Sequence, residues 1–224
     1  MPKPSIIAID GPVAAGKTTV GNTLACRLGY RFIDTGLMYR AITWAVLREK
    51  ISPEDEATVT ALAQRTQVEV ALRDGLEGSR IIVDGRDVTD ELRIRRVELG
   101  VSLVSRLPGV RRAMVTRQRA LAQGGKIVMA GRDIGTVVLP DADLKIFLTA
   151  SPEVRARRRL QDMKAQGQCP TMAQVLEELA QRDRLDTERA ASPLRVGEDA
   201  HVMDTEHIAL DQVVARIIAL MEDG

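Results

Sequence analysis

The sequence predicts an α/β fold: a five-stranded parallel sheet covered by helices on both faces, with an inserted β-hairpin/helix lobe and a helical lid. Three observations predict it. Short apolar runs alternate with helix-length amphipathic segments, the pattern of parallel strands buried on both sides. The first apolar run leads into Gly11-Pro12-Val13-Ala14-Ala15-Gly16-Lys17-Thr18, a complete G-x-x-x-x-G-K-[ST] loop opening a helix. From about residue 65 to 123 the alternation breaks into strands followed by helices, which reads as an insertion in a single domain of 224 residues.

In chain order, Ile6 to Ile9 is a buried strand. Gly11 and Gly16 permit backbone conformations closed to residues with a Cβ, so successive N–H groups can turn inward. With the N-terminus of the next helix they favour a bound polyphosphate. Lys17, expected to face solvent, puts a compact cation near the β- and γ-phosphates, and the Thr18 hydroxyl can take one Mg²⁺ position. A chance glycine turn lacks the flanking strand and the helix of Val20, Leu24 and Leu28 ended by Gly29.

Arg31 to Asp34 is a second strand, ended by a turn at Asp34-Thr35-Gly36, and a helix runs from Leu37 to Arg48. Ser52 as N-cap and Pro53 at the first position start another, to about Gln64. In the inserted block Val68 to Leu72 and Ile81 to Val83 alternate. Asp74-Gly75 and Gly78-Ser79 are turn signals, and Asp84-Gly85 is a hairpin turn into Asp87-Val88. Helices from Ile94 to Arg106 and Val110 to Gln123 follow, separated by Pro108-Gly109. The alternation resumes with strands Ile127 to Ala130 and Leu144 to Thr149, then a helix capped by Ser151 or Thr149. A polar gap, Ala165 to Pro170, precedes a helix through Arg182. The last strand is Ala200 to Met203, and a stripe of Leu210, Val213, Val214, Ile217, Ile218 and Met221 ends the chain in a helix.

Composition narrows the function. A net charge of +1 gives no argument for a nucleic-acid polymer or a membrane surface as partner. Cys26 and Cys169 make neither a disulfide framework nor a structural zinc site. The polar first residues are not a signal peptide, and no run approaches the ~20 apolar residues of a membrane span. The expectation is a soluble cytoplasmic monomer acting on small molecules.

A phosphate loop does not choose between a kinase, a switch GTPase and an ATPase. Beyond the carboxyl ends of the strands, where such sheets bind ligands, lie Asp34-Thr35-Gly36, Gly131-Arg132-Asp133 and the segment from Ser151. None is a guanine-reading N-K-x-D. What these regions hold is arginine: Arg40, Arg132, a cluster of Arg155, Arg157, Arg158 and Arg159, then Arg182, Arg184 and Arg189 with Asp183 and Asp186. The cluster is either a solvated face or a lid that meets phosphates. Phosphoryl transfer is mostly positioning and charge neutralisation, to which guanidinium is suited. The arginines from Arg155 to Arg159 are expected to be poorly ordered, or far from the loop, until both nucleotides bind. Lys17, Arg132, Arg155 and Arg159 are the catalytic candidates.

The segments GPVAAGKTT, IDTGLMYRA, VDGRDVTDELR, GRDIGTVVLPDADLKIFLTAS and RDRLDTERAASPL, spread in that order over essentially the whole chain, resemble bacterial cytidylate kinase. The loop is shared by many families; the third and fourth segments are far more specific. The resemblance implies a P-loop nucleoside monophosphate kinase core that moves the γ-phosphate of ATP to CMP or dCMP with Mg²⁺. ATP would lie along Gly11, Pro12, Val13, Ala14, Ala15, Gly16, Lys17, Thr18 and Thr19. The resemblance implies that Arg40, Arg132 and Arg189 hold the acceptor's phosphate and Arg182 and Asp186 the sugar. Ser102, Arg111 and Asp133 would read the base, with Thr35 lining the pocket. A carboxylate suits the N4 amino group of cytosine and a guanidinium suits N3 and O2, whereas uracil inverts N4 and N3. Two departures stand out. Ala130 occupies a position usually acidic in the family, which leaves Thr18 and Asp34 as the metal candidates. Arg95-Arg96 follows the E-L-R segment where a less basic stretch is usual. The alternatives are a kinase for another small acceptor on the same core, such as shikimate, gluconate or a different nucleotide, and an ATP-sensing binding protein. The long inserted β-hairpin lobe argues against the compact small-molecule kinases, and the paired sets of arginines against the ATP-sensing protein. The lid is expected over about residues 152 to 189.

Overall fold

Strand β1 (Ile6–Asp10) lies at the centre of a five-stranded parallel sheet in a computed structural model that describes residues 5–72 and 79–223. The chain continues through α1 (Lys17–Leu28), β2 (Arg31–Asp34), α2 (Thr35–Arg48), α3 (Glu56–Arg65), β3 (Val68–Leu72), β4 (Ser79–Val83) and β5 (Arg86–Asp87). Then come α4 (Arg95–Ser105), α5 (Pro108–Ala122), β6 (Ile127–Ala130), β7 (Leu144–Thr149), α6 (Pro152–Ala165), α7 (Met172–Glu188), β8 (His201–Asp204) and α8 (Leu210–Asp223). The sheet order is β2-β6-β1-β7-β8. From β1 the chain leads toward one edge, and from β6, its neighbour, across to the other half. A crevice therefore opens beyond the carboxyl ends of these strands.

The continuous apolar strands bury both faces. Ile7, Ile9, Val128 and Ala130 pack with Val20 and Leu24 of α1 and Val213, Val214 and Ile217 of α8. Ala8, Ile33, Ile127 and Met129 point the other way, into a cluster with Met38 and Ile42 of α2, Leu62 of α3, Val97 and Val101 of α4 and Met114 of α5. A separate antiparallel sheet, β3-β4-β5, stands between α3 and α4. Its β4–β5 turn holds Asp84 at φ 48 and Gly85 at φ 80, the two left-handed residues of a tight hairpin. A small third cluster, Ala156, Met163, Val175 and Leu179, joins α6 to α7.

The element boundaries differ from the sequence reading at polar positions. Helix α2 starts at Thr35 rather than Leu37, because Asp34 is its N-cap and accepts from the Gly36 amide at 2.9 Å. Helix α3 is capped by Asp55, which accepts from Thr58 N at 3.1 Å, so Ser52 and Pro53 belong to the preceding turn. Pro108 opens α5 instead of separating two helices, its missing N–H costing nothing there. Helix α7 runs to Glu188, past Arg182, with a Thr171/Gln174 capping box at its start. Strand β8 sits one residue later than expected. The turn signals Asp74-Gly75 and Gly78 lie outside the described residues.

Candidate active site

The loop after β1 is shaped by steric necessity. At Gly11, φ is 147 and a Cβ would stand 2.1 Å from the Leu148 carbonyl oxygen, so only glycine lets the chain leave β1 against β7. Ala14 at φ 59 and Gly16 at φ 92 break the loop into alternating conformations, the geometry in which successive amides converge on an anion. Lys17 does not face solvent as expected. It is 9% exposed, and its Nζ donates to Pro12 O at 2.6 Å. Burial first, then the charge of Arg132, pushes its pKa well below that of an ordinary lysine. Thr18 Oγ1 donates to Asp34 Oδ2 at 2.8 Å while the other oxygen of that carboxylate caps α2.

The end of β6 is tied to the end of β1. Asp10, 5% exposed, accepts from the amides of Ile134 and Gly135, both at 2.8 Å. Burial pushes its pKa up to about 6 against the pull of those two amides. Ile134–Val138 is a wide helical turn in which Val138 N bonds back five residues to Asp133 O at 3.0 Å. Thr35 Oγ1 donates to Ala130 O at 2.9 Å, and a Cβ on Gly131 would meet that hydroxyl at 2.6 Å.

Between the loop, α2, α4, α6 and α7 opens a cleft of about 650 Å³. Its lining holds seven cations, Lys17, Arg40, Arg93, Arg132, Arg158, Arg159 and Arg182, against three carboxylates, Asp34, Glu98 and Asp162. That imbalance suits a polyanion. Arg182 shows it most: burial, then the charges of Arg132 and Arg40, lowers its pKa to about 10. The Nε atoms of Arg159 and Arg182 are buried without a hydrogen-bond partner.

The arginines of α6 already touch the loop, contrary to the expectation that they stand away from it. Arg155 donates from Nη1 to Val13 O at 3.3 Å and from Nε to Ala150 O at 3.2 Å, and pairs through Nη2 with Asp183 at 2.7 Å. All three of its nitrogens are thereby engaged, and it does not line the cleft, whereas Arg158 does. Arg158 faces the cleft beside Arg159 and is anchored on Thr205 Oγ1 at 2.9 Å and Thr205 O at 2.6 Å.

Behind Arg132 runs a buried chain of charges. Arg132 Nε donates to Asp186 Oδ2 at 2.8 Å, and Arg189 stands 3.7 Å from Asp186 Oδ1 and 3.5 Å from Asp133 Oδ1. Arg111 donates to the second oxygen of Asp133 and lies over the Tyr39 ring at 5.3 Å. Burial would raise the Asp186 pKa, but the charge and hydrogen bond of Arg132, then Arg189, hold it below its ordinary value. Arg111 also donates to Ser105 O at 3.2 Å, at the end of α4, and Ser102 is half-buried on the preceding turn of that helix.

Three residues of this arrangement escaped sequence reasoning: Asp10, Tyr39 and Glu98. Asp10 left a signal, an acid ending an apolar strand immediately before the loop. Glu98 left a fainter one, a carboxylate beside the buried stripe of Val97, Val101 and Val104.

Comparison with known proteins agrees with the geometry. A family model described as cytidylate kinase matches residues 7–223. A cytidylate kinase of Pelotomaculum thermopropionicum is 48% identical over 97% of this chain and 96% of its own length. One from Caldanaerobacter subterraneus subsp. tengcongensis is 49% identical over 94% and 92%. Among solved structures, a gluconokinase from Sinorhizobium meliloti shares the fold at a TM-score of 0.51 and 15% identity, covering 98% of this chain and 93% of its own.

Proposed function

The chain belongs to the cytidylate kinase family and is an ATP-dependent kinase acting on CMP and dCMP; from that premise we propose how its cleft performs the transfer. ATP lies with its phosphates along Gly11 to Thr19. The acceptor's phosphate meets Arg40 and Arg132, with Arg189 behind them, and its sugar meets Arg182 and Asp186. Ser102, Arg111 and Asp133 read cytosine, with Thr35 at the pocket's edge. An oxygen of the CMP phosphate attacks the γ-phosphorus, and the bond to the β–γ bridging oxygen breaks in line with it. Lys17, Arg132, Arg158 and Arg159 neutralise the charge spread over the transferring group.

Thr18 and Asp34, hard oxygen donors 2.8 Å apart, fit a Mg²⁺ site. No cluster of three or more His, Cys, Asp or Glu side chains forms among the described residues, so phosphate and water oxygens would complete the shell. When bound, the ion offsets charge on the β- and γ-phosphates. The domain reading is a single kinase domain with a monophosphate-binding lobe at about 65–123 and a lid at about 152–189. Two free, exposed cysteines accord with a reducing compartment, and we assign the protein to the cytoplasm as a monomer.

The observation that carries the reading is Arg132, which lines the cleft beside the phosphate loop and is joined through Asp186 and Arg189 to the buried Asp133–Arg111 pair. The test is a coupled assay offering ATP with each nucleoside monophosphate. CMP and dCMP are expected to react well, UMP poorly, AMP and GMP hardly at all. Equal turnover of UMP would overturn the base assignment; no transfer to any of them would overturn the kinase assignment.

A further inference from the structure

Glu98 sits among the valines of α4, 3% exposed, and yet lines the cleft. Its two oxygens serve different elements. Oε1 accepts from Arg40 Nη1 of α2 at 3.2 Å, and Oε2 accepts from Arg159 Nη2 of α6 at 2.5 Å. Burial alone would raise its pKa; the hydrogen bond and charge of Arg159, then those of Arg40, outweigh burial and keep it ionised. A single carboxylate between two guanidinium groups lets them approach in a cleft already crowded with positive charge.

Both arginines keep donors in reserve. Arg159 Nε is buried without a partner, and Arg40 bonds through Nη1, to Leu92 O and Glu98. An arginine side chain has much rotamer freedom, and fixing one nitrogen removes part of it before a phosphate arrives. The same helix offers a contrast: Arg95 reaches Glu178 of α7 at 2.7 Å, but that pair is 42% and 19% exposed and lies away from the cleft lining.

Resting on the reading that Arg40 takes the acceptor's phosphate and Arg159 the transferred one, we propose that Glu98 is a positioning residue that aligns these two guanidinium groups with each other. It thereby couples acceptor binding on α2 to the phosphoryl-transfer arginine on α6.

The test is steady-state CMP kinase kinetics with melting temperatures for Glu98→Gln, Glu98→Asp, Arg159→Ala, the double variant Glu98→Gln/Arg159→Ala, and Arg95→Ala. Glu98→Gln keeps the volume but turns an amide NH₂ toward an arginine donor. Its kcat is expected to fall about tenfold or more, as for an ångström-scale misplacement, while KM for ATP stays within about twofold. Glu98→Asp recovers part of the loss. The double variant is no slower than Arg159→Ala, since one act of positioning cannot be lost twice. Arg95→Ala stays close to wild type. Wild-type kcat in Glu98→Gln, additive losses in the double variant, or an equal loss in Arg95→Ala would each overturn the proposal. If Glu98→Gln fails to fold, Glu98→Asp decides: a lowered kcat at an unchanged melting temperature supports the role, and an unchanged kcat refutes it. A wild-type enzyme that prefers another acceptor overturns the substrate reading alone, and the comparison then runs on that acceptor.

Discussion

Lys17 is buried beside Arg132, where its charged form is disfavoured, and this sets what its removal does. Burial disfavours the ammonium in the folded protein, so Lys17→Met removes a destabilising ionisation along with the phosphate contact. The variant is expected to melt no lower than wild type and to lose transfer by ~10²-fold or more. Because burial depresses the Lys17 pKa without nucleotide and phosphates favour the ammonium, ATP binding is expected to bring proton uptake at Lys17. Calorimetry in two buffers of different ionisation enthalpy reads that uptake, and the variant should lack it. Asp133 makes a different case. Its carboxylate is held by Arg111 and Arg189, so Asp133→Ala would strand two buried cations at about 3–5 kcal/mol. Asp133→Asn keeps the shape and replaces one acceptor with a donor. The ratio of kcat/KM for CMP over UMP should fall ~10-fold or more, and an unchanged ratio would remove Asp133 from base reading.

At the scale of elements, the loop after β6 hangs from the last residue of β1. Asp10 fixes the wide turn that follows Arg132 and Asp133, so one buried carboxylate sets the distance between the phosphate loop and the base-reading acid. Its pKa of about 6 lies above the unfolded value of 3.8. Between those values the folded protein holds more protons than the unfolded chain. The contribution of Asp10 is therefore fully present below about pH 4 and lost as pH rises through 6, by about 3 kcal/mol at most. Asp186 and Glu98 run the other way: their depressed values favour folding above the unfolded pKa and the benefit fades as pH falls through the folded one. Urea denaturation of wild type and Asp10→Asn from pH 4 to 7 separates them. The stability of wild type relative to the variant should decline as pH rises from 4 to 6; a constant difference would show that Asp10 does not titrate there.

Over the whole molecule, apolar packing is distributed unevenly. Two large clusters clamp the sheet between its helices, while α6 and α7 share a core of four buried residues. The pair is bound to the rest largely by polar ties: Arg155 to Val13 O, Arg158 to Thr205, Arg159 to Glu98, Arg95 to Glu178 and Asp186 to Arg132. A unit with so little shared apolar surface opens at a smaller free-energy cost than the sheet. Amides of residues 152–188 should exchange hydrogen through a partial opening, well before those of β1 and β6. ATP and CMP together should slow that exchange, since closure over both keeps water from the reacting phosphates. Exchange in 152–188 unchanged by both nucleotides would mean that these helices do not act as a lid.

The phosphate loop, the parallel strands, both buried faces and the hairpin turn at Asp84-Gly85 were legible in the chain order of residues. Each is a local pattern: a fixed spacing of glycines, a period of two or of 3.6, a turn residue able to take positive φ. The helix starts were less legible, because Ser52 and Asp55 are both good caps and packing chose between them. The charges of the site were least legible. Glu98 meets Arg159 across 61 residues, Asp10 meets Ile134 across 124, and Arg155 meets the loop across 142. A helical stripe records that a position is buried and says nothing of which charge awaits it there. Burial of Lys17, the tethering of Arg155 and the bridging by Glu98 follow from how the helices pack over the crevice, where loss of water makes the nearest opposite charge decisive.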